Sequence, residues 1–161
     1  MCLIIKKNQK AKRAKKDITV YKIVEQDVLG ESILSTPFQH ATIAIGEKYE
    51  TNKQFKAESN CNYAEDEKFI NKGLFHSYPT YKDAENSLKF MGSIHTTLKI
   101  GIAKCIIPKG SLYLEGTTAI YHSYAFFAVV DEIHTASVGS TAIKYVEMID
   151  EPKTFSERNK S

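Results

Sequence analysis

Two polar-aromatic triplets carry most of the chain's chemical potential: His76-Ser77-Tyr78 and His122-Ser123-Tyr124. Each joins an imidazole, a hydroxyl and a ring, and each lies beside an apolar stretch that reads as a strand. Strand-end residues of this kind can line a small-molecule pocket, where rings supply stacking surface and a few polar groups fix orientation. They also serve as half-buried sheet decoration with satisfied ring and hydroxyl groups. Lys109 stands in the turn Pro108-Lys109-Gly110-Ser111 and would add positive charge. Tyr21, His76, Tyr78, Lys109 and His122 are therefore the candidate ligand-binding residues. The ligand class expected of them is a small anionic or nucleotide-like molecule.

A second candidate lies in the charge distribution. Seven of the 22 basic residues and none of the 19 acids fall within the first sixteen positions, leaving 15 bases against 19 acids for the rest. A basic arm preceding a mildly acidic body can release counterions from nucleic-acid phosphates. Lys12, Arg13, Lys15 and Lys16 are its candidate contacts. The arm holds no aromatic residue to stack on bases, so a solvated leader is the competing reading.

Other chemistries find little support. Cys2, Cys61 and Cys105 are odd in number and widely spaced, without a CxxC pair. Cys105 sits in the apolar run Ile102–Ile107, as a small hydrophobe would. None of the five histidines makes an HxH or HExxH spacing, so no metal is expected. GxGxxG, P-loop and GxSxG motifs are absent, and no cofactor is expected. Asp131 and Glu132 are neighbours on a strand and point to opposite faces, which rules out a shared acid/base pair.

The elements that must position these residues follow from periodicity. Ile18–Val24 is rich in β-branched and aromatic residues, with Ile18, Val20, Lys22 and Val24 on one face. Ala41–Ile45 is a short strand candidate. Thr51–Lys72 reads as a long polar surface loop, in which Ala64–Ile70 is the stretch with helical character. Tyr81–Met91 is the main helix. Thr80 caps it, Asp83 stands in its first turn, and Tyr81, Ala84, Leu88 and Met91 form one apolar stripe. Leu98–Ile107 reads as a central strand, and Leu112–Leu114 as a short one closed by Glu115-Gly116. Tyr124–Ile133 is a long apolar strand, Ser140–Ile149 an edge or half-buried one. No run approaches the roughly 20 apolar residues of a membrane span.

Three segments resemble small uncharacterised proteins of gut bacteria and their phages. They are Met1-Cys2-Leu3-Ile4-Ile5-Lys6-Lys7 leading into Ile18–Lys22, then Gly73–Tyr78 with Lys82-Asp83-Ala84, and Lys104–Tyr113 followed by Tyr121-His122-Ser123. That resemblance implies no activity. The chain also resembles degenerate ADP-ribosyltransferase-like folds. There an early Tyr-Arg-type pair would correspond to Tyr21-Lys22, a Ser-centred segment to His76-Ser77-Tyr78, and the catalytic acid to Asp131-Glu132. Lys22 stands where that pattern has Arg or His, and no Glu-x-Glu precedes the last strands. This resemblance implies a nucleotide-using site.

The expected fold is α+β: a mostly antiparallel twisted sheet of five to seven strands with one main helix packed on it. The expected organisation is a basic arm over 1–16, one domain over 17–150 and a polar tail over 151–161. The expected function is that of a cytoplasmic, non-enzymatic binding or accessory protein of a bacterium or phage. The alternatives are a divergent ADP-ribosyltransferase-like enzyme, and a phage structural or packaged protein whose basic arm touches nucleic acid.

Overall fold

Alternation along Ile18–Gln26 divides the molecule's core in two. Val20 and Val24 enter one apolar cluster, whereas Tyr21 and Ile23 enter another on the opposite side of the strand. Its neighbour Lys99–Ile107 behaves alike: Ala103, Cys105 and Ile107 join the first cluster, Ile100 and Ile102 the second. A strand buried on both faces reads as a near-continuous apolar run, and both do.

The computed structural model describes residues 2–26, 33–36, 41–51, 67–70, 73–94, 98–123 and 130–160. In chain order the strands are β1 (Cys2–Lys6), β2 (Lys12–Arg13), β3 (Ile18–Gln26), β4 (Leu34–Ser35), β5 (Thr42–Ile43), β6 (Lys48–Glu50), β7 (Glu67–Ile70), β8 (Phe75–Ser77), β9 (Lys99–Ile107), β10 (Leu112–Ser123), β11 (Val130–Ser140) and β12 (Ala142–Lys153). The helices are α1 (Tyr81–Ile94), between β8 and β9, and the short α2 (Phe155–Arg158) at the end.

The α+β class with antiparallel pairing and one main helix holds, but the strands form two sheets. One runs β7-β1-β10-β11-β8, with β2 also pairing β10; the other runs β5-β4-β3-β9-β12-β6. The first cluster lies between them, since Val138 of β11 and the flanking Phe75 and Tyr113 pack against side chains of β3, β9 and β12. An isolated bridge, Tyr21 to Tyr78, stitches β3 to the chain just after β8 (Tyr21 N–H to Tyr78 O 2.8 Å, Tyr78 N–H to Tyr21 O 2.7 Å).

Helix α1 covers the other face of β3 and β9, with Ala84, Leu88 and Met91 buried as its stripe requires and Lys82 and Lys89 exposed. Its start is capped as the sequence indicates: Asp83 N–H donates to Thr80 Oγ1 (3.2 Å), and the Thr80 hydroxyl donates to Asp83 (2.5 Å). Asp83 accepts from the hydroxyl and not from the cap's backbone N–H, so this is half of a capping box.

Several expectations need correction. The basic segment is no arm: β1 sits between β7 and β10, and Leu3, Ile4 and Ile5 are buried. Three consecutive apolar residues before the lysines are enough to enter a sheet. The C-terminal tail is no frayed end either. β12 continues through Pro152 to Lys153, and Thr154 forms a capping box with Glu157 on α2. Arg158 then pairs with Asp150 (2.5 Å) and donates to the Ile100 carbonyl, fixing α2 on the β9–β12 ladder. Glu67–Ile70 is a strand, not part of a helix. Most of the loop expected over Thr51–Lys72 (positions 52–66 and 71–72) and positions 124–129 of the strand expected over Tyr124–Ile133 lie outside the described residues.

Candidate functional site

The five candidate ligand residues do not border one cleft. Tyr21 faces α1, its ring edge-on to Tyr81 at 6.0 Å. Tyr78 is 1% exposed beneath that helix. His76 pairs with Gly139 of β11, whereas His122 pairs with Asp131 of the same strand. Those two positions on β11 are about 26 Å apart along the strand, at ~3.3 Å per residue. The side chain of His122 lies outside the described residues. Lys109 sits beyond the Ile18 end of β3, where its backbone N–H donates to Asp17 (2.8 Å). The triplets mislead because His76-Ser77-Tyr78 runs through strand and bridge positions instead of a rim: Ser77 and Tyr78 are buried and His76 is half-buried.

The His76 neighbourhood is nevertheless unusual. Both ring nitrogens are sealed from solvent without a hydrogen-bond partner among the described residues. Burial, aided by the charge of Lys22, pushes the imidazole pKa down to about 3. Lys22 itself is 9% exposed on the face it shares with Val20 and Val24. Its ammonium donates to the His76 carbonyl (2.5 Å), joining the two sheets at the β3–β8 seam. Burial lowers its pKa to about 8. The signal was present in the sequence as one lysine between valines on an apolar face. Cys105 is fully buried, and its thiol is pushed up to about 12 by burial, which makes it a poor nucleophile. The Ser77 hydroxyl is buried and donates to the Val138 carbonyl.

The ADP-ribosyltransferase correspondence is half-assembled. Tyr21-Lys22 and His76-Ser77-Tyr78 lie side by side, joined by the Tyr21–Tyr78 bridge and the Lys22 hydrogen bond. Glu132, however, pairs with Tyr121, well along β11 from Gly139, the partner of His76. That is about 23 Å of strand. The three motifs therefore do not meet at one reacting centre.

One open concave site among the described residues lies elsewhere. A cleft of about 370 Å³ lies where β6, the β9–β10 turn and the β11–β12 turn come together. It is lined by Lys48, Glu50, Thr51, Lys109, Ser111 and Thr141, with Pro108, Gly110 and Ala142. Gly110 takes φ 89° to make the β9–β10 turn, a conformation that side chains with a Cβ disfavour. The Thr141 hydroxyl accepts from the Leu112 N–H (3.1 Å) and Thr51 N–H donates to the Thr141 carbonyl (2.9 Å), locking the walls together. Lys48 pairs with Glu50 along the β6 edge, while the Lys109 side chain is exposed.

The basic segment is pinned to the same turn. Ala14 N–H donates to Ser111 O (2.9 Å), Gly110 N–H donates to Ala14 O (2.8 Å), and Arg13 donates to Gly110 O (2.6 Å). Farther back, Gln9 donates to the Glu115 carbonyl (2.6 Å) and Lys12 pairs with the Glu115 carboxylate (2.5 Å). That pairing raises the Lys12 pKa and offsets its charge. Residues 6–16 are thus a strap laid over the molecule, with Lys6, Lys7, Lys10, Arg13, Lys15 and Lys16 exposed. Lys15 and Lys16 sit next to the turn that carries Lys109. Of the residues singled out by type and spacing, the fold brings together Arg13, Lys15, Lys16 and Lys109, drawn from two groups with no visible connection in the chain.

Among the described residues no group of histidine, cysteine, aspartate and glutamate could hold a metal ion, and no helix is long and apolar enough to cross a membrane. What the described surface offers is exposed lysine and arginine side chains on a hydrogen-bonded strap beside a polar cleft. Comparison with protein-family models, curated proteins and solved structures finds no match for the chain.

Proposed function

We propose that the protein is a non-enzymatic binding module whose ligand is nucleic acid, contacted through the basic strap over residues 6–16. In this reading it is an accessory protein of a bacterium or phage, in keeping with its resemblance to such proteins. The observation that carries the proposal is the pinning of the strap. Ordering a flexible basic tail on binding costs conformational entropy. Here Ala14, Arg13 and Gln9 already hold the backbone in place, so its exposed cations project from a backbone that is already ordered. Phosphates need only charge and hydrogen-bond donors, which lysine and arginine supply. Lacking aromatic residues, the strap offers no stacking platform, which favours backbone contact without sequence preference.

The test is fluorescence anisotropy of a labelled oligonucleotide across a salt series. Binding should weaken steeply with salt. The Lys10→Gln, Lys15→Gln, Lys16→Gln triple variant should lower the slope of log K against log salt by about one for each phosphate it no longer neutralises. An unchanged slope in that variant, or no binding at low salt, overturns the reading.

A further inference from the structure

We propose that the cleft between β6 and the β9–β10 and β11–β12 turns is a phosphomonoester site, and that on a nucleic acid its ligand is a strand's terminal phosphate. The nucleic-acid ligand rests on the function proposed above; the phosphate site itself rests on the cleft alone.

The donor set argues for phosphate. Lys109 contributes an exposed side chain to the lining, and Lys48 lines it from β6, paired with Glu50. Ser111 adds a hydroxyl-bearing side chain to the same lining. A monoester carries about −1.5 to −2 charges near neutrality and three strong acceptor oxygens. A backbone diester carries one charge and two free oxygens, so it gains less from the same ammonium and hydroxyl donors. Glu50 also lines the cleft and offsets the charge of Lys48, so Lys109 is the cation on which the site chiefly rests.

The rest of the lining argues against a base-recognising pocket. Pro108, Gly110 and Ala142 are its apolar members, and no aromatic side chain lines it among the described residues. The volume of about 370 Å³ is near the small end for ligand sites. It suits a phosphate with part of its sugar better than a clamped base. Position supplies the last step: Lys15 and Lys16 follow Ala14, which is hydrogen-bonded to Gly110 and Ser111 in the cleft wall. A strand tracking the strap would end at the cleft.

Two measurements on the full chain separate the sources of the phosphate. The first compares affinities for a single-stranded oligonucleotide, labelled at its 3′ end, with and without a 5′-phosphate. The second records thermal shifts with adenosine monophosphate and with inorganic phosphate. The phosphorylated strand should bind about fivefold more tightly, as one or two half-exposed ion pairs would give. Both small molecules should raise Tm, and Lys109→Ala should abolish both effects without changing the Tm of the free protein. A thermal shift without end preference identifies free phosphate compounds as the ligand and still supports the site. Equal affinities together with no thermal shift overturn it. Loss of all oligonucleotide binding with the thermal shift intact counts against the strap and supports the cleft.

Discussion

At the residue scale, His76 and Lys22 show how much polar character this core tolerates. Lys22 finds a carbonyl for its ammonium, but the His76 ring has no partner for either nitrogen among the described residues. An imidazole in that position is buried neutral, with its pKa lowered to about 3 from 6.5. The unfolded chain takes up the proton below about pH 6.5 and the folded chain does not. This residue's contribution is therefore fully present above about pH 6.5 and is lost progressively as pH falls toward 3. The full window is worth up to about 5 kcal/mol, at ~1.36 kcal/mol per pKa unit. His76→Leu should be neutral or stabilising at neutral pH, since it removes two unsatisfied buried nitrogens. Carboxylates titrate in the same acid range, so the readout is the difference between the two proteins. In urea melts the variant's advantage should grow as pH falls from about 6.5 to about 4. A constant difference would show that the ring is solvated or hydrogen-bonded in solution.

At the element scale, α1 is where local sequence and fold agree. Leu88 is 2% exposed within the cluster formed with Ile23, Tyr78 and Ile102. Leu88→Ala should cost about 2–5 kcal/mol, as truncation of a buried leucine does. Lys89 is exposed and pairs loosely with Glu85 (3.4 Å), so Lys89→Ala should stay within about ±0.5 kcal/mol. Chemical denaturation of both variants checks this, and similar midpoint shifts would mean the helix presents another face. The helix was legible because its cap and its stripe are local. The strand β10 was not. Gly116 reads as a turn residue, yet it lies mid-strand because a Cβ there would run into the Ile4 carbonyl of β1. That requirement comes from a residue at the far end of the chain. The cleft was illegible for the same reason. Its walls come from residues 48, 50 and 51, from 108–111 and from 141–142, and Lys109 alone carried a visible sign of a site.

At the scale of the whole molecule, the first sixteen residues are both structure and surface, and the two roles can be separated. Their apolar members are internal: Leu3, Ile4, Ile5 and Ala14 are all buried, and β1 fills the gap between β7 and β10. Their cations are external. Lys12 and Arg13 also hold the strap down, through Glu115 and the Gly110 carbonyl; Lys6, Lys7, Lys10, Lys15 and Lys16 leave their side chains in solvent. Deleting residues 1–16 removes three large apolar side chains at about 1.5–3 kcal/mol each, or roughly 5–9 kcal/mol. It also leaves the edges of β7 and β10 without their partner. A domain of this size has a total stability of about 5–15 kcal/mol, so the truncated chain should show no cooperative thermal transition. Such a truncation cannot report on nucleic-acid binding, because loss of binding and loss of fold coincide. Replacing Lys6, Lys7, Lys10, Lys15 and Lys16 together by Gln leaves the buried face intact. Exposed substitutions usually fall within about 0.5 kcal/mol of neutral, in either direction, and removing neighbouring like charges relieves repulsion. That variant should keep a cooperative transition near the wild-type Tm while losing salt-dependent binding to an oligonucleotide. A truncated chain that melts cooperatively would show that β1 is dispensable and that the segment is an arm after all.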